Sequence, residues 1–338
     1  MRSKEKNMDL TSTENILDSE KKFSKKDKWA DKPAMEVRDL HFSYGKNKVL
    51  KGVSLKIEEG KITTIMGANG CGKSTLFSLM TKNLYPRKGN IFLKGKNVQN
   101  LNLKEFARKV AIVQQYNSAS DDITVENLVA FGRTPHKKMM QGDSAEDERM
   151  IQWALEVTNL TEYRDREVSR LSGGQRQRVW IAMALCQGTK TLFLDEPTIG
   201  LDAVSKLKLR EFLRVENETR RTTILLTTHD MEDMRALCSR VMVLGHGQLL
   251  YDGTLTNLLH RYDTAHTLTV TYDGAADASK LPQGAVKDGD TWRITLQKDG
   301  DLSETMRQVM AAGKMHEMAI EEQNVDELIA RMYREMAL

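Results

Sequence analysis

The 338-residue sequence contains little cysteine, proline or aromatic side chain, with three cysteines, five prolines and 6% aromatic residues. Cys71, Cys186 and Cys238 lack the paired spacing of a metal site, and so few thiols favour a reducing compartment without a disulfide framework. No apolar run approaches the roughly 20 residues that a membrane-spanning helix needs. The N-terminal stretch also lacks the apolar segment of a secretory signal. These absences predict a globular protein that stays in the cytoplasm.

The charge balance gives little support for a nucleic-acid partner. The formal net charge is +4, and the charges are dispersed along the chain rather than clustered. With 40% hydrophobic and 29% charged residues, a chain of this length can bury a substantial core. The length predicts one large domain and a smaller one, and we expect no binding to nucleic acid.

Residues 1–33 differ in composition from the chain that follows. They are polar and rich in lysine, with acidic residues interleaved, so little apolar surface can offset the entropy of ordering. We predict a mobile charged tail. A membrane-surface anchor is the alternative, but Phe23 and Trp29 alone make a poor apolar face.

The stretch 67–75 matches the phosphate-binding pattern G-x-x-x-x-G-K-[ST]. Its glycines let the backbone turn N–H groups toward a polyphosphate, Lys73 would supply positive charge, and the Ser74 hydroxyl would ligate Mg²⁺. A buried strand at 61–66 and a helix at 74–82 are predicted on either side. A glycine-rich turn alone would not explain Gly-Lys-Ser at this offset. The predicted triphosphate contacts are Gly67, Ala68, Asn69, Gly70, Cys71, Gly72, Lys73, Ser74 and Thr75.

Two carboxylates follow a second apolar strand. The run 190–196 ends in Asp195 and Glu196, and ligands of open α/β sheets bind at such strand ends. Asp195 is suited to hold Mg²⁺, and Glu196 to orient or deprotonate an attacking water. A helix cap would be the structural alternative. Together with the phosphate-binding loop, the tandem carboxylates predict a nucleoside triphosphatase.

A third motif begins a second helix at a Gly-Gly turn. It consists of Leu171, Ser172, Gly173, Gly174 and Gln175, or LSGGQ, and lies between GANGCGKST and LFLDEP. With this order of motifs, residues 35–262 strongly resemble the ATP-binding cassette (ABC) family. The resemblance implies an α/β P-loop NTPase fold, with a RecA-like core and a helical subdomain at about 116–185 inside a domain spanning 34–262.

The family resemblance assigns further roles, with ATP and Mg²⁺ as cofactors. Tyr44 would stack near the adenine, Gln115 would sense Mg²⁺ and the γ-phosphate, and His229 would contact that phosphate. Gln114 is an alternative to Gln115 by one position. The family pattern also implies a head-to-tail dimer, either a homodimer or a heterodimer, in which Ser172 and Gly173 close on ATP bound to the other subunit. The implied D-loop is Gly200, Leu201 and Asp202; the Mg²⁺ ligands are Ser74, Gln115 and Asp195; the catalytic residues are Glu196, His229, Lys73 and Gln115.

Transport is the favoured use of the ATPase. The stretch between the phosphate-binding loop and the tandem carboxylates is too short for the long coiled coil of chromosome-type ATPases, and it shows no sustained heptads. The resemblance therefore implies membrane-spanning permease partners and a peripheral location on the cytoplasmic face of the membrane. Residues 110–136 and 171–184 resemble ATPases of ferric-siderophore, haem and cobalamin importers, which work with an extracytoplasmic binding protein. Residues 195–206, 228–238 and 249–253 resemble ABC-2-type exporter ATPases. Import is favoured, with export and a soluble assembly or repair ATPase as alternatives.

A second unit is predicted at 263–338. Alternating strands at 266–272 and 291–297 precede a helix near 301–312, a strand near 315–320 and a helix at 325–336. This order predicts a small α+β accessory domain, with a regulatory or dimer-bracing role. Trp292 and the methionines at 306, 310, 315 and 318 are predicted to pack in its core rather than to bind a ligand.

Overall fold

A computed structural model describes residues 33–137, 144–228, 230–262, 265–297 and 302–321. The predicted N-terminal tail up to residue 32, His229 and the predicted helix at 325–336 lie outside the described residues. Within the described ranges, no helix combines the length and the apolar character that crossing a membrane requires.

An antiparallel sheet opens the chain. Its strands are β1 (Met35–Tyr44), β2 (Asn47–Ile57), β4 (Lys88–Leu93) and β5 (Lys96–Asn97), in the order β2-β1-β4-β5. A break in register between Val37 and Leu40 interrupts the pairing of β1 with β2, which then resumes and continues to the Tyr44–Asn47 pair. Tyr44 therefore lies at the tip of the β1–β2 hairpin, far along β1 from Met35.

The central sheet has six strands. They are β3 (Ile62–Met66), β6 (Ala111–Val113), β7 (Thr191–Asp195), β8 (Thr223–Thr227), β9 (Arg240–Gly245) and β10 (Gln248–Gly253), in the order β10-β9-β3-β8-β7-β6. All neighbouring pairs are parallel except β9 and β10. Parallel strands end at a common edge, so the segments that follow β3, β6, β7 and β8 lie side by side there.

Helices cover this sheet and form a separate layer beside it. They are α1 (Lys73–Met80), α2 (Leu103–Ala107), α3 (Val125–Ala130), α4 (Ala145–Val157), α5 (Gly173–Cys186), α6 (Ala203–Arg220), α7 (Met231–Leu237) and α8 (Leu255–Tyr262). Residues of β7 alternate between two cores: Phe193 joins the core around α1, whereas Leu192 and Leu194 join the core around α5 and α6. This two-sided burial explains the unbroken apolar run that predicts the strand.

Helices α3, α4 and α5 share their own hydrophobic core. It contains the fully buried residues Val125, Leu155 and Val179, together with neighbouring apolar side chains. The predicted helical subdomain at about 116–185 contains these three helices, although its boundaries remain a prediction. Helix α5 continues directly toward β7, so the subdomain is joined to the central sheet next to the two carboxylates.

A second unit follows α8. Its described residues form a four-stranded antiparallel sheet, ordered β12-β13-β11-β14, and one α-helix. The elements are β11 (Ala265–Tyr272), β12 (Val286–Asp288), β13 (Thr291–Gln297), α9 (Leu302–Ala311) and β14 (Met315–Glu321). Its core includes Leu268, Val270 and Val309. The prediction of core packing is wrong for Met310 and Met318, which are 57% and 40% exposed, because they lie at the margin of the helix–sheet contact.

Candidate functional site

The loop between β3 and α1 has the backbone conformation of a phosphate cradle. Gly67, Gly70 and Gly72 have φ values of 153°, 80° and 109°, which L side chains rarely adopt. A Cβ at Gly72 would lie 2.8 Å from the Leu50 side chain, so β2 closes one side of the loop. Since Gly72 caps α1, the free N–H groups at this helix end belong to the same loop.

The Lys73 ammonium lies over its own loop. Nζ donates to the carbonyl oxygens of Gly67, at 2.7 Å, and Ala68, at 3.2 Å. This position places one positive charge at the mouth of the cradle. The arrangement therefore fits a polyphosphate, which needs inward N–H groups and a neutralising cation.

Side chains of the nine loop residues divide into exposed and buried groups. Ala68, Asn69, Gly70 and Ser74 are exposed, whereas the Cys71 and Thr75 side chains are 8% and 9% exposed. Cys71 packs in the core around α1. Any contact of Cys71 or Thr75 with a ligand would therefore be made through the backbone.

The two carboxylates lie beside the loop, at the end of β7. Asp195 pairs in register with Thr227 of β8, which in turn neighbours Ile65 of β3. The Thr227 hydroxyl donates to Asp195 Oδ1 at 2.6 Å. Burial raises the pKa of Asp195, and the Thr227 hydrogen bond and the charge of Lys73 partly oppose that rise. A half-buried carboxylate at a strand end offers the oxygen ligands that a divalent cation prefers.

Glu196 has an unusual backbone. Its φ is 48°, in the left-handed region that glutamate rarely enters. The Glu196 N–H donates to the Thr227 carbonyl at 3.1 Å and lies 3.0 Å from its hydroxyl oxygen. On the other side, the Glu196 carbonyl accepts from the Ile199 N–H at 3.2 Å. The sharp turn brings the chain away from the sheet directly after Asp195.

The Q-loop candidates follow β6, the edge strand beside β7. Val113 pairs with Leu194, so Gln114 and Gln115 leave the sheet at the level of the two carboxylates. Gln114 is exposed and Gln115 half-buried, and the Gln114 carbonyl accepts from Asn117 Nδ2 at 2.6 Å. Both positions border the site, and the choice of Gln115 stays a prediction.

Tyr44 lies at the tip of the β1–β2 hairpin. Its side chain is 53% exposed, and its ring packs edge-on against Phe42 at a centroid distance of 4.9 Å. An exposed aromatic face held by a second ring is suited to stacking on a base. The structure thus leaves Tyr44 available for the predicted role.

The signature motif forms the start of α5. The Ser172 hydroxyl accepts from the Gln175 N–H at 3.3 Å, and Gln175 Oε1 accepts from the Ser172 N–H at 2.9 Å, which is a capping box. The helix therefore begins at Gly173, at the Gly-Gly turn. A Cβ at Gly173 would meet nothing within 4 Å, whereas one at Gly174 would lie 2.3 Å from Ser205 Oγ. One glycine gives access and the other permits close packing.

The D-loop candidate connects β7 to α6. Gly200 has φ 70°, Leu201 packs against the core around α5 and α6, and Asp202 caps α6. Hydrogen bonds from the Ser205 N–H, at 2.9 Å, and hydroxyl, at 2.8 Å, lower the pKa of Asp202. A Cβ at Gly174 would also lie 3.8 Å from Asp202 Oδ2, so the signature motif and the D-loop candidate are neighbours within one chain.

A buried polar cluster, which sequence reasoning missed, lies behind the carboxylates. Asp233 of α7 is fully buried and accepts hydrogen bonds from Thr198, Thr228 and Arg210. Arg210 of α6 also contacts Asp230, the N-cap of α7. A local signal did exist, because Asp230 and Asp233 have the N-cap and N3 spacing of a helix start. Their partners, however, come from distant segments.

Comparison with known proteins identifies the family. The ABC transporter family profile matches residues 50–199. The iron(3+)-hydroxamate import ATP-binding protein FhuC of Bacillus subtilis (strain 168) is 38% identical over 226 residues, which cover 67% of this chain and 84% of FhuC. The ferric enterobactin transport ATP-binding protein FepC of Escherichia coli (strain K12) is 37% identical over 214 residues, covering 63% and 79%.

Solved structures give the same result. CbiO1 of Clostridium perfringens, described as part of an ABC transporter complex, has a TM-score of 0.60 and 29% identity, covering 68% of this chain and 91% of that one. The cassette MJ0796, solved as a dimer with ADP and phosphate, has a TM-score of 0.58 and 26% identity, covering 65% and 98%.

The fold and the phosphate site define an α/β P-loop nucleoside triphosphatase. The similarity to FhuC shows that the chain belongs to the ABC transporter family. It is an ABC ATPase, and its cofactor is ATP. The predicted fold class is thereby confirmed.

Proposed function

We propose that this chain is the ATPase subunit of an importer of iron–siderophore type. The observation that carries this proposal is the 38% identity to an iron(3+)-hydroxamate import ATP-binding protein. The alignment spans 226 residues, which is more than half of the predicted cassette at 34–262, so it includes residues from both halves of the cassette. The importer similarity therefore extends beyond the importer-like segments at 110–136 and 171–184, which weakens the case for export.

We assign the two cofactors to the cradle and its edge. The N–H groups of the loop 67–75 and the Lys73 ammonium would hold the phosphates, and Tyr44 would stack on the adenine. Ser74, Gln115 and Asp195 would hold Mg²⁺, which would supply positive charge to neutralise the phosphates. The half-buried Asp195 carboxylate and the exposed Ser74 hydroxyl are oxygen donors of the kind Mg²⁺ prefers.

Hydrolysis would depend on positioning and on charge neutralisation. Glu196 would orient and deprotonate the attacking water, while Lys73 balances the charge that develops on the phosphate oxygens. Gln115 would line the same edge from β6. His229, outside the described residues, stays a predicted phosphate contact at the end of β8. The left-handed turn at Glu196 takes the backbone out of the line of β7 directly after Asp195.

We propose that the active unit is a head-to-tail dimer, either a homodimer or a heterodimer. The open space at Gly173 and the exposed Ser172 would let a phosphate of the partner's ATP reach the N-terminus of α5. The dimeric structure of MJ0796 with ADP and phosphate supports the formation of a dimer. ATP would close the dimer, and hydrolysis would loosen it through repulsion between the product phosphates.

The dimer would dock on a membrane-spanning permease at the cytoplasmic face of the membrane. The helical subdomain and the Q-loop expose large apolar side chains, including Tyr116 at 81% and Phe131 at 58%. Such side chains suit a docking surface for a helix of another subunit. An extracytoplasmic binding protein would then deliver the ferric chelate to the permease.

Uptake of radio-iron by cells that lack the endogenous chain tests the proposal. Cells would be supplied with the wild-type chain or with Glu196→Gln, and with a ferric hydroxamate, ferric enterobactin or labelled cobalamin. We expect the wild-type chain alone to restore uptake of a ferric siderophore. The same chain should bring down a permease and a binding protein from detergent-solubilised membranes.

Three results would contradict this function. Recovery of an ABC-2-type membrane subunit without a binding protein would establish export. Purification of native complexes without any membrane subunit would favour a soluble assembly or repair ATPase. Restored cobalamin uptake without siderophore uptake would leave import standing and change the substrate class.

A further inference from the structure

Glu196 is held in a backbone conformation that it would not adopt unaided. A left-handed glutamate is disfavoured by about 1 kcal/mol and persists only where the surrounding structure fixes it. On its N-terminal side the anchor is Thr227, which accepts the Glu196 N–H. The conformation also needs an anchor on its C-terminal side, where the chain turns toward α6.

The C-terminal anchor is Thr198. Its side chain is 3% exposed, and its hydroxyl donates to Asp233 Oδ2 at 2.5 Å. The Thr198 carbonyl accepts from the Leu201 N–H at 3.2 Å, just after the Ile199 N–H has bonded to Glu196. The short turn after β7 is thus fixed at Thr198 to a carboxylate on α7.

Asp233 itself is fully occupied. Its other oxygen, Oδ1, accepts from Arg210 Nε at 2.6 Å, and the Thr228 hydroxyl shares Oδ2 at 3.1 Å. Asp233 is 0% exposed and Arg210 6% exposed, so neither can turn to solvent. Buried charged groups with all their hydrogen bonds made are rigid, because any displacement leaves one of them unpaired.

We infer that Asp233 is a positioning residue for ATP hydrolysis, acting through Thr198 to hold Glu196 in its left-handed turn. The inference rests on the proposed role of Glu196 as general base. Asp233 also fixes Thr228, the last described residue of the β8 end. The buried Asp233 carboxylate therefore links the segment after β7 to the segment after β8. These are the two segments that are predicted to carry residues for hydrolysis.

The test uses the purified full-length chain and steady-state ATP hydrolysis. Thr198→Val removes the hydroxyl and keeps the shape, whereas Thr198→Ser keeps the hydroxyl. We expect Thr198→Val and Asp233→Asn to lower kcat by about 10-fold to 10²-fold, the loss expected from misplacing a catalytic group by about 1 Å. KM should change by less than about 3-fold, since neither residue touches the phosphate-binding loop. Thr198→Ser should stay close to wild type.

A matched control is available on α6. Glu216 is 6% exposed and accepts from the Thr222 hydroxyl at 2.8 Å, at the opposite end of β8. Glu216→Gln disturbs the same kind of buried threonine–carboxylate pair away from the site. We expect it to lower the melting temperature and to leave kcat of the folded protein unchanged.

The outcomes distinguish a positioning role of Thr198 and Asp233 from a merely structural one. Wild-type kcat in Thr198→Val, or an equal loss in Thr198→Ser, would overturn the positioning role while leaving the function of Glu196 intact. A double variant of Thr198→Val and Asp233→Asn that loses no more than Asp233→Asn alone would support the shared path. Full turnover in Glu196→Gln, measured alongside, would reject the proposed general base and this inference together.

Discussion

At the scale of single residues, the chemistry of the site is concentrated where β7 ends. Asp195 is the last residue of β7, whereas Glu196, which is half-buried like Asp195, leaves the sheet through a left-handed turn. The two adjacent carboxylates therefore differ in surroundings and can differ in role. A carboxylate held at the end of a strand suits a bound cation, and one beyond the turn suits contact with water.

The first prediction concerns Glu196→Gln. The amide keeps the size of the side chain and removes its ability to accept a proton. We expect ATP binding to be retained and turnover to slow by about 10²-fold or more. Nucleotide binding by equilibrium titration and phosphate release in single-turnover experiments would measure the two effects separately. Turnover like that of the wild type would remove Glu196 from the catalytic role.

The motif residues could be predicted from sequence because their chemistry is local. The loop 67–75 encodes its glycines, its lysine and its hydroxyl within one continuous stretch. The anchors of Glu196 could not be predicted in this way. Thr198, Arg210 and Asp233 come together only after β7, α6 and α7 pack, and no short pattern encodes that meeting. Long-range polar contacts need the fold itself.

At the scale of elements, α5 and α6 meet at a glycine. The second prediction compares Gly174→Ala with Gly173→Ala. A Cβ at position 174 would lie 2.9 Å from the Ser205 Cβ, so the helices must move apart. We expect destabilisation by about 1–3 kcal/mol for Gly174→Ala. Gly173→Ala should fold normally and lower the ATPase rate, since its new methyl group would occupy the open approach to the helix start.

Urea denaturation and ATPase assays on the two alanine variants would check this contrast. Adding Ser205→Gly to Gly174→Ala should recover part of the lost stability, because it removes the atoms that the new methyl group meets. Equal stability of the two single variants would show that the α5–α6 contact is not tight.

The third prediction concerns a buried ion pair in the helical subdomain. Arg133 Nε lies 2.6 Å from Asp147 Oδ1, and the two side chains are 5% and 7% exposed. Burial alone would raise the pKa of Asp147, but hydrogen bonds from Arg133 and Ser144 outweigh it and lower the pKa to about 2. Because the unfolded chain takes up the proton first, the stabilisation is complete above about pH 4 and lost as the pH falls toward 2.

Asp147→Asn should therefore cost about 2 kcal/mol or more at neutral pH, and the difference from wild type should shrink in acid. The control is Glu148→Gln, an exposed position in the same helix turn, which should cost less than about 1 kcal/mol. Unfolding free energies from urea titrations at several pH values would measure both. A difference from wild type that does not depend on pH would contradict the assigned ion pair.

At the scale of the whole molecule, the described chain has two independent sets of core residues. Every member of the core of the C-terminal unit, which includes Leu268, Val270 and Ile294, lies between residues 268 and 315, whereas the members of the four other clusters lie between residues 35 and 259. The sequence predicted this second unit through its return to alternating strands. It did not predict β12, whose three residues are too short and too polar to carry a strand pattern.

The fourth prediction is that the two units melt separately. In calorimetry of Glu196→Gln, ATP with Mg²⁺ at about 100 times Kd should stabilise the nucleotide-binding unit by about 2.7 kcal/mol. That corresponds to a rise of roughly 5–10 °C in its transition, with the other transition unchanged. ADP without Mg²⁺ serves as the comparison. A single transition that shifts as a whole would mean that the units unfold together.

The exposed ring of Tyr44 has a consequence for which nucleotide the protein hydrolyses. A stacking contact depends on the flat faces of a purine, which adenine and guanine share, and it ignores the edge groups by which they differ. The hairpin tip would thus impose little selectivity on the base. If Tyr44 stacks on the base as proposed, the protein would hydrolyse GTP as well as ATP, and the relative concentrations of the two nucleotides would decide which one is consumed.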